Sequence, residues 1–523
     1  MIFPPVGLAV ITPIVLAFIT PLLSIIVKSR RILQTYTAAA TFIILVITSI
    51  VFLNSYIVTP NKPLLYLFGG WPAPVGIVYE VDRFNALIGL LISSIMFLIA
   101  LYSLKYLEHD DGVEWYCTLL LGIEAGMLGC VYTGDAFNLF VMIEVMSVSS
   151  YGLVAFRKRI AESVEAGIKY AILGAMATTF YFIALVFLYA SMNTLNMADV
   201  AAKLSGIYIP VTGAPQAGWK FGIVLFIIFM LWAFTFKSAV FPNHFWLPDA
   251  HSLAPSSISA LLSGLYVSVG VYLITRFLFT VLRSTSMIPV LSIVLTALFT
   301  LGIVSAFFAS FLMTVQDDVK RIIAYSTILN IGYMMMGLGL GTFLGLKAAI
   351  YHLVSHAVTK ALLFLAVGVF IHYAGSRMMI DLAGIGRRFP VTSLCFFIGA
   401  IALAGVPPLN GFIGKLYLYY ALLEVGYAPF VIAIVVPSVV AFLAYLRMVY
   451  GIWFSPPKRS FEVEGEHPCF TIPIIILTVA TVLLGVLSPL FMEHVISHAV
   501  DSLLDQNSYV KPIIEIYEAL IKR

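Results

Sequence analysis

Long apolar runs, rather than alternating or strongly amphipathic segments, form the hydrophobic pattern of this chain. A helix that crosses a bilayer needs about 20 mostly apolar residues. Runs of that length recur about fourteen times, from one beginning near Val6 to one beginning near Cys469. The pattern therefore predicts an all-α polytopic membrane protein with about fourteen transmembrane helices.

The composition agrees with this class and excludes several others. Of 523 residues, 61% are hydrophobic and 10% are charged, whereas soluble proteins have roughly 45–50% apolar and about 25% charged residues. A water-soluble enzyme, a disordered regulator and a nucleic-acid binder are excluded, and a net charge of +4 needs no polyanionic partner. The four cysteines are far apart and form no CxxC pair, so they indicate neither a disulfide framework nor a metal or cluster site.

Basic residues in short loops predict the orientation, because Lys and Arg resist translocation. If the spans alternate, these loops share the inner side and both termini lie outside. No cleavable signal peptide is evident, because the first apolar run is long and lacks a basic start. The tail after Phe491 is predicted to be amphipathic, lying on the membrane surface or against a partner. The basic residues that follow the odd-numbered spans are Lys28, Arg30, Arg31, Arg157, Lys158, Arg159, Lys320, Arg321, Arg377, Arg387, Arg388, Lys458 and Arg459.

Two stretches share one layout, which predicts an internal duplication. Each begins at an aspartate (Asp135 or Asp318), continues into a helix that carries a cation, and ends in a segment interrupted by prolines. Proline inside a helix removes a backbone donor, and within a bilayer the freed carbonyl groups must face protein or water. Interrupted helices at matching positions of two halves point to a transport site between the halves.

Glu144 and Lys237 each stand in apolar sequence, away from the basic loops. An ionisable side chain at mid-bilayer costs about 2.5–3.5 kcal/mol, so each is a functional candidate. Opposite charges about 4 Å apart attract by about 4 kcal/mol at an effective dielectric constant of about 20. A lysine that alternately gains and loses a glutamate neighbour therefore changes its proton affinity and can take up and release a proton. A permanent salt bridge is the alternative interpretation.

The second half offers a file of titratable side chains. His352, His356 and Lys360 recur at four-residue spacing and so share one helix face, and Lys415 follows the second proline break. Histidine titrates nearest to physiological pH, so this file is a candidate proton relay. A metal site is disfavoured, because no glutamate lies between the histidines and no third ligand is evident.

Further polar residues are candidates for supporting roles. Lys169 and Glu124 are expected nearer helix ends, where packing or snorkelling accounts for a charge. The segment between the prolines of the first break forms either a polar exit or a helix-break cap through three side chains: His244, Asp249 and His251.

Four long motifs together resemble the antiporter-like subunits of respiratory complex I and its relatives. They span residues 241–262, 316–326, 352–365 and 405–415. Residues 70–77 and 162–170 lean toward the Mrp-type cation/proton antiporters, in particular their D-type membrane chain, and they fit the matching chain of energy-converting membrane hydrogenases equally well. The resemblance covers nearly the whole chain.

The resemblance implies fourteen helices, with two inverted five-helix repeats and discontinuous helices 7 and 12. It divides the chain into helices 1–3 (residues 1–113), the first repeat (114–285), the second repeat (286–454) and the last helix with its amphipathic tail (455–523). It implies that Glu144 pairs with Lys237 as a pKa switch, and that the His/Lys file continues a hydrophilic axis along mid-membrane. Many members carry a lysine in helix 8 where this chain has Ser268, so protons are expected to pass there through water held by Ser268 and Tyr266, or by another route.

These observations predict a proton-translocating membrane subunit of a redox-driven complex in the cell membrane. Its expected partners are other membrane subunits and a peripheral arm with iron–sulfur centres, because no catalytic or redox motif and no cofactor site is evident in the chain. The alternative is the D-type chain of an Mrp-type Na⁺/H⁺ antiporter without redox chemistry. A quinone- or ferredoxin-reacting enzyme is disfavoured by the absence of a cofactor motif. A passive scaffold predicts that Glu144→Gln and Lys237→Ala leave pumping intact.

Overall fold

The computed structural model describes residues 5–60, 62–108, 110–458 and 465–521, so Arg459 lies outside the described residues. It is nearly all helical, with one two-stranded hairpin between α2 and α3, formed by β1 (Leu64–Leu67) and β2 (Val78–Val81). The helices are α1 Pro5–Ile26, α2 Arg30–Val58, α3 Arg83–Tyr106, α4 Val113–Tyr132, α5 Ala136–Val154, α6 Ala161–Met192, α7 Met197–Leu204, α8 Trp219–Lys237, α9 Trp246–Leu253, α10 Ser256–Val281, α11 Thr285–Thr314, α12 Val319–Gly339, α13 Phe343–Ala374, α14 Pro390–Ala404, α15 Asn410–Glu424, α16 Ala428–Phe454, α17 Pro468–Val486, α18 Ser488–Phe491, α19 Ser497–Leu504 and α20 Gln506–Ile521.

Thirteen helices of the described chain are long and apolar enough to cross a membrane: α1 to α6, α8, α10 to α13, α16 and α17. A fourteenth crossing is divided between α14 and α15, which are separated at residues 405–409. The seventh crossing is likewise interrupted, because α8 ends at Lys237 and α9 begins at Trp246. The all-α polytopic fold with discontinuous helices 7 and 12 is thus confirmed.

The two repeats have matching parts that begin on opposite faces of the molecule. The side chain of Asp135 caps the start of α5 and that of Asp318 caps the start of α12, as expected for aspartate at a helix N-terminus. Each is followed by a 32-residue helix, α6 or α13, after which the chain returns to form a bridge to that aspartate, from Asn196 or Met378. α5 begins beside the β-hairpin, whereas α12 begins among the basic loops. This arrangement is an inverted repeat; the exact domain boundaries stay a prediction.

We call the side that carries β1, β2, α7 and the tail the hairpin face, and the side that carries the basic loops the loop face. The hairpin pairs Leu64 with Val81 in antiparallel register. The chain after it is tied back to the hairpin, because the Gly134 amide donates to the Val78 carbonyl at 2.9 Å. This places the start of α5, and with it Glu144, in register with the hairpin face.

The C-terminal tail lies against its own chain on the hairpin face. Val510 and Ile514 of α20 pack on Ala201 and Ala202 of α7, and the Gln506 amide donates to the Thr280 carbonyl at 2.9 Å. The amphipathic helix predicted from the sequence is therefore present. Part of its apolar stripe is covered by α7, rather than by lipid or a separate partner.

Candidate functional site

Lys237 is the last residue of α8, at the first helix break, and its ammonium is fully buried. Nζ donates to the Ser147 hydroxyl at 2.6 Å and to the Tyr266 hydroxyl at 3.1 Å. Nζ also lies 5.9 Å from the ring centroid of Tyr151. A cation at a helix C-terminus is favoured by the helix dipole, so the break, the hydroxyl groups and the aromatic face together stabilise a charge inside the protein.

Glu144 lies one turn before Ser147 on α5 and is partly buried. Among the described residues it forms no ion pair with Lys237, whose ammonium bonds to Ser147 and Tyr266. The two charges interact electrostatically, but the permanent salt bridge considered from the sequence is not formed in this conformation. The switching pair stays a prediction, with Ser147 between its members.

One wide turn of α10 contacts both halves of the site. Residues Leu262–Tyr266 form a π-helical turn, a feature that often marks functional positions. At its end, Tyr266 bonds to Lys237. At its start, the Ser263 carbonyl lies 3.1 Å from His356 Nε2 and accepts a hydrogen bond from it. The first and second halves are therefore joined through five consecutive residues.

Ser268, which stands where many relatives carry a lysine, does not contact Lys237. Its hydroxyl donates to the Gly264 carbonyl of its own helix at 2.7 Å. Tyr266, two residues earlier, makes the direct contact with Lys237 instead. The expected role of Tyr266 therefore has a structural basis, whereas that of Ser268 has none in this conformation.

The second half places its relay on the fully buried helix α13. The Nε2 atom of His352 lies 2.9 Å from the Asn330 amide oxygen. The Lys360 ammonium donates to the Ile323 carbonyl at 2.8 Å and also contacts the Ser326 hydroxyl. All of these polar partners lie on α12, so the α12–α13 contact forms the second part of the axis.

Lys415 occupies the second helix break. Its ammonium donates to the carbonyls of Leu403 and Ala404 at 3.0 and 2.9 Å. These are among the last carbonyls of α14, which lack partners within their helix. Gly414 adjoins the relay closely, since a Cβ atom there would lie 2.5 Å from His352 Nδ1. The break thus brings Lys415 next to His352.

His251 is a fully buried member of the break segment that occupies a central position. Neither ring nitrogen has a hydrogen-bond partner among the described residues, and the ring interacts electrostatically with Lys320 and Lys360. Lys320 was treated in the sequence as a loop cation, yet it is buried and donates to the Ala254 carbonyl at 2.5 Å. Its position two residues after a capping aspartate was the signal that could have identified it.

Three other predicted residues lie off this axis. His244 packs against the rings of Phe241 and Phe308. Asp249 pairs with Arg321, and both line a cavity of about 410 Å³ on the loop face. Lys169 lines the same cavity and pairs with Glu165 at 2.6 Å, with more than half of each side chain exposed.

Glu124 corrects an expectation. The sequence placed it near a helix end, but α4 begins at Val113, so Glu124 lies in mid-helix and is fully buried. Neither carboxylate oxygen has a partner among the described residues. Snorkelling therefore does not explain this charge.

Removing one hydroxyl from the Lys237 site has a predictable effect. Tyr266→Phe keeps the ring but deletes one of the two hydrogen bonds to the ammonium, and a bond to a charged group contributes about 1.5–3 kcal/mol. We expect proton translocation by the intact complex in membrane vesicles to fall about tenfold. Tyr189→Phe, at an exposed position of α6, is the matched control, and equal rates in the two variants would contradict the assignment.

Comparison with known proteins identifies the family. A family described as "NADH:quinone oxidoreductase/Mrp antiporter, TM" matches residues 133–441. The chain is 31% identical to the N-type chain of the NADH-quinone oxidoreductase of Desulforudis audaxviator, over 84% of this chain and 88% of that protein. It is 29% identical to the D-type chain of the Na(+)/H(+) antiporter of Bacillus subtilis, over 96% and 99%.

A solved structure agrees with both relatives. The chain superimposes on a subunit of the membrane-bound sulfane sulfur reductase, an archaeal respiratory membrane complex, with a TM-score of 0.88, 30% identity and coverage of 97% of this chain and 99% of that one. The chain therefore belongs to the NADH:quinone oxidoreductase/Mrp antiporter family of membrane subunits. It is an antiporter-like membrane subunit of the complex I, Mrp and sulfane sulfur reductase type.

Proposed function

We propose that the protein translocates protons along a buried polar axis. The axis comprises Glu144, Lys237, His356, Lys360, His352 and Lys415, with Tyr266 and Ser263 between its halves. The observation that carries this proposal is the π-helical turn of α10, whose two ends contact Lys237 and His356. Charged and titratable groups inside a membrane protein are costly unless they are used, and here they are linked by hydroxyl and carbonyl groups.

The chemistry follows from the separation of charges. While Glu144 is ionised and close, its charge favours the protonated form of Lys237; when the two move apart, burial favours the neutral amine. At an effective dielectric constant of about 20, an approach to about 4 Å changes the interaction by about 4 kcal/mol. That is sufficient to convert a lysine that holds its proton into one that releases it toward Tyr266 and the second half.

The driving force is proposed to come from partner subunits with redox chemistry. Moving one charge against 100 mV costs about 2.3 kcal/mol, and the relay residues of this chain store no such energy. The similarity to a subunit of a respiratory reductase complex, over nearly the whole chain, supports this proposal. The proposed partners are other membrane subunits and a peripheral arm with iron–sulfur centres, in the cell membrane, with both termini outside.

A second candidate function is that of the D-type chain in a Na⁺/H⁺ antiporter without redox chemistry. The similarity to the Bacillus subtilis antiporter chain, over 96% of this chain, supports it. The same axis serves both functions, because each requires a proton to cross the membrane. They differ in what drives the proton and in whether Na⁺ moves in the opposite direction.

Purification of the native complex distinguishes the two functions. The chain is tagged at its C-terminus, the copurifying proteins are identified, and the complex is reconstituted in liposomes. We expect iron–sulfur subunits to copurify and proton translocation to depend on an electron donor. Small membrane subunits alone, with ΔpH formation driven by a Na⁺ gradient, would favour the antiporter and contradict the redox-driven function.

A further inference from the structure

A second cluster of buried charges lies at the hairpin face, away from the relay. Glu80 of β2 is fully buried, and neither of its carboxylate oxygens has a hydrogen-bond partner among the described residues. An ionised carboxylate without partners is costly to bury. Burial is the largest cause that raises the pKa of Glu80 well above its usual range, while the nearby Arg276 opposes it. The carboxyl is therefore expected to carry a proton in this conformation.

The neighbouring charges balance without Glu80. Arg276 of α10 donates to both carboxylate oxygens of Asp82, at 2.7 and 2.8 Å, and both residues are buried. Asp82 also caps α3 by accepting from the Phe84 and Asn85 amides. The bidentate pair is neutral, so the cluster is neutral when Glu80 is protonated and has one negative charge when Glu80 loses its proton. Arg276 lies close enough to interact with that charge.

One face of α10 leads from the relay to this cluster. Tyr266 bonds to Lys237, and further along the helix Arg276 Nε donates to the Tyr272 hydroxyl at 3.4 Å. From Tyr266 to Arg276 the helix rises about 15 Å. Ser268 leaves this stretch without the lysine of many relatives, and arginine does not release its proton. Glu80, beside Arg276, is a group that can.

The tail separates Glu80 from a polar cavity. The ring of Tyr509 lies 5.5 Å from the Arg276 guanidinium carbon, and its hydroxyl interacts electrostatically with Glu80. Tyr509 and Asp82 also line a cavity of about 90 Å³. Since one water needs about 10–15 Å³ of such space, this cavity has room for several. The charged residues that line it are Lys62, Asp82, Arg83, Asp501 and Asp505.

We propose that Glu80 is a proton-binding carboxyl that exchanges protons between the Lys237 end of the axis and the cavity behind Tyr509. This inference rests on the proposed function and extends its first half to the hairpin face. In the outward step the Glu80 O–H bond breaks, a cavity water accepts the proton, and the carboxylate that remains faces Arg276. A proton from the axis then restores the acid, so protons and charge balance over the cycle.

The test uses the intact complex in vesicles, with the pH on the hairpin face varied. Glu80→Gln keeps the shape but cannot exchange a proton. We expect translocation to fall at least about tenfold and to lose its dependence on hairpin-face pH, with the complex still assembled. Glu80→Asp keeps a carboxyl at a changed distance from Arg276, and it should retain transport with a shifted pH midpoint. Glu515→Gln, on the exposed side of α20, should match the wild type.

The outcomes separate this inference from the proposed function. Wild-type transport and pH dependence in Glu80→Gln, while Glu144→Ala is inactive, would overturn the role of Glu80 and leave the relay standing. Full activity in both variants would overturn both proposals. If Glu80→Gln does not assemble, Glu80→Asp decides, because an unchanged pH midpoint in that variant contradicts proton exchange at this carboxyl.

Discussion

Lys237→Met is expected to reduce proton translocation by at least about 100-fold while the complex remains assembled. Methionine keeps the length of the side chain but removes its proton and charge. The Ser147 and Tyr266 hydroxyl groups, which lie 3.4 Å apart, remain able to bond to each other, so no buried polar group is left without a partner. Replacing a buried charge by an apolar group of similar volume is often neutral for stability.

The same helix provides the control for this variant. Lys220 lies at the other end of α8 and is exposed, so Lys220→Met removes an equal charge outside the axis. Initial rates of proton uptake by inverted vesicles are compared at equal amounts of assembled complex. A similar loss in both variants, or full transport by Lys237→Met, would show that the charge at residue 237 has no special role.

Lys360→Met is predicted to have a comparable effect in the second half. Its ammonium is fully buried and bonds to the Ile323 carbonyl. That carbonyl also accepts from the Thr327 hydroxyl at 3.3 Å, so it keeps a partner when the lysine is removed. We therefore expect normal assembly and translocation lowered by about 100-fold, measured as proton uptake under the driving force that the intact complex uses.

A control on the same helix separates relay chemistry from loss of charge. Lys347 of α13 is less buried and lies 5.6 Å from the ring of Phe343, and Lys347→Met should leave translocation close to that of the wild type. If Lys360→Met also retained transport, the second half would not carry protons. The Lys237 site would then need another route across the membrane.

The positions of the central charges could be predicted from the sequence because an ionised group within an apolar run has few physical explanations. Lys237, His356 and Lys360 are all fully buried, and proline marked both helix breaks correctly. The contacts could not be predicted. Whether Lys237 bonds to Glu144 or to Ser147 depends on a rotation of less than one helical turn, which the sequence does not specify.

Other features carry a weak sequence signal. The β-hairpin consists of two four-residue strands, too short to give a clear alternation. The π-helical turn inserts no proline or glycine break that distinguishes it from ordinary helix. Glu124 was misplaced because the start of α4 could be estimated only to within a few residues, and for a buried charge that error decides between a helix end and the middle of the helix.

Proton translocation by the assembled Glu144→Ala complex is the most direct test of the central claim. Glu144 is the carboxylate whose approach and withdrawal are proposed to switch Lys237, and its replacement leaves the hydrogen bonds of Lys237 to Ser147 and Tyr266 in place. With assembly verified by copurification, we predict no measurable proton translocation. Transport at the wild-type rate would contradict the account, and it would match the expectation for a passive scaffold.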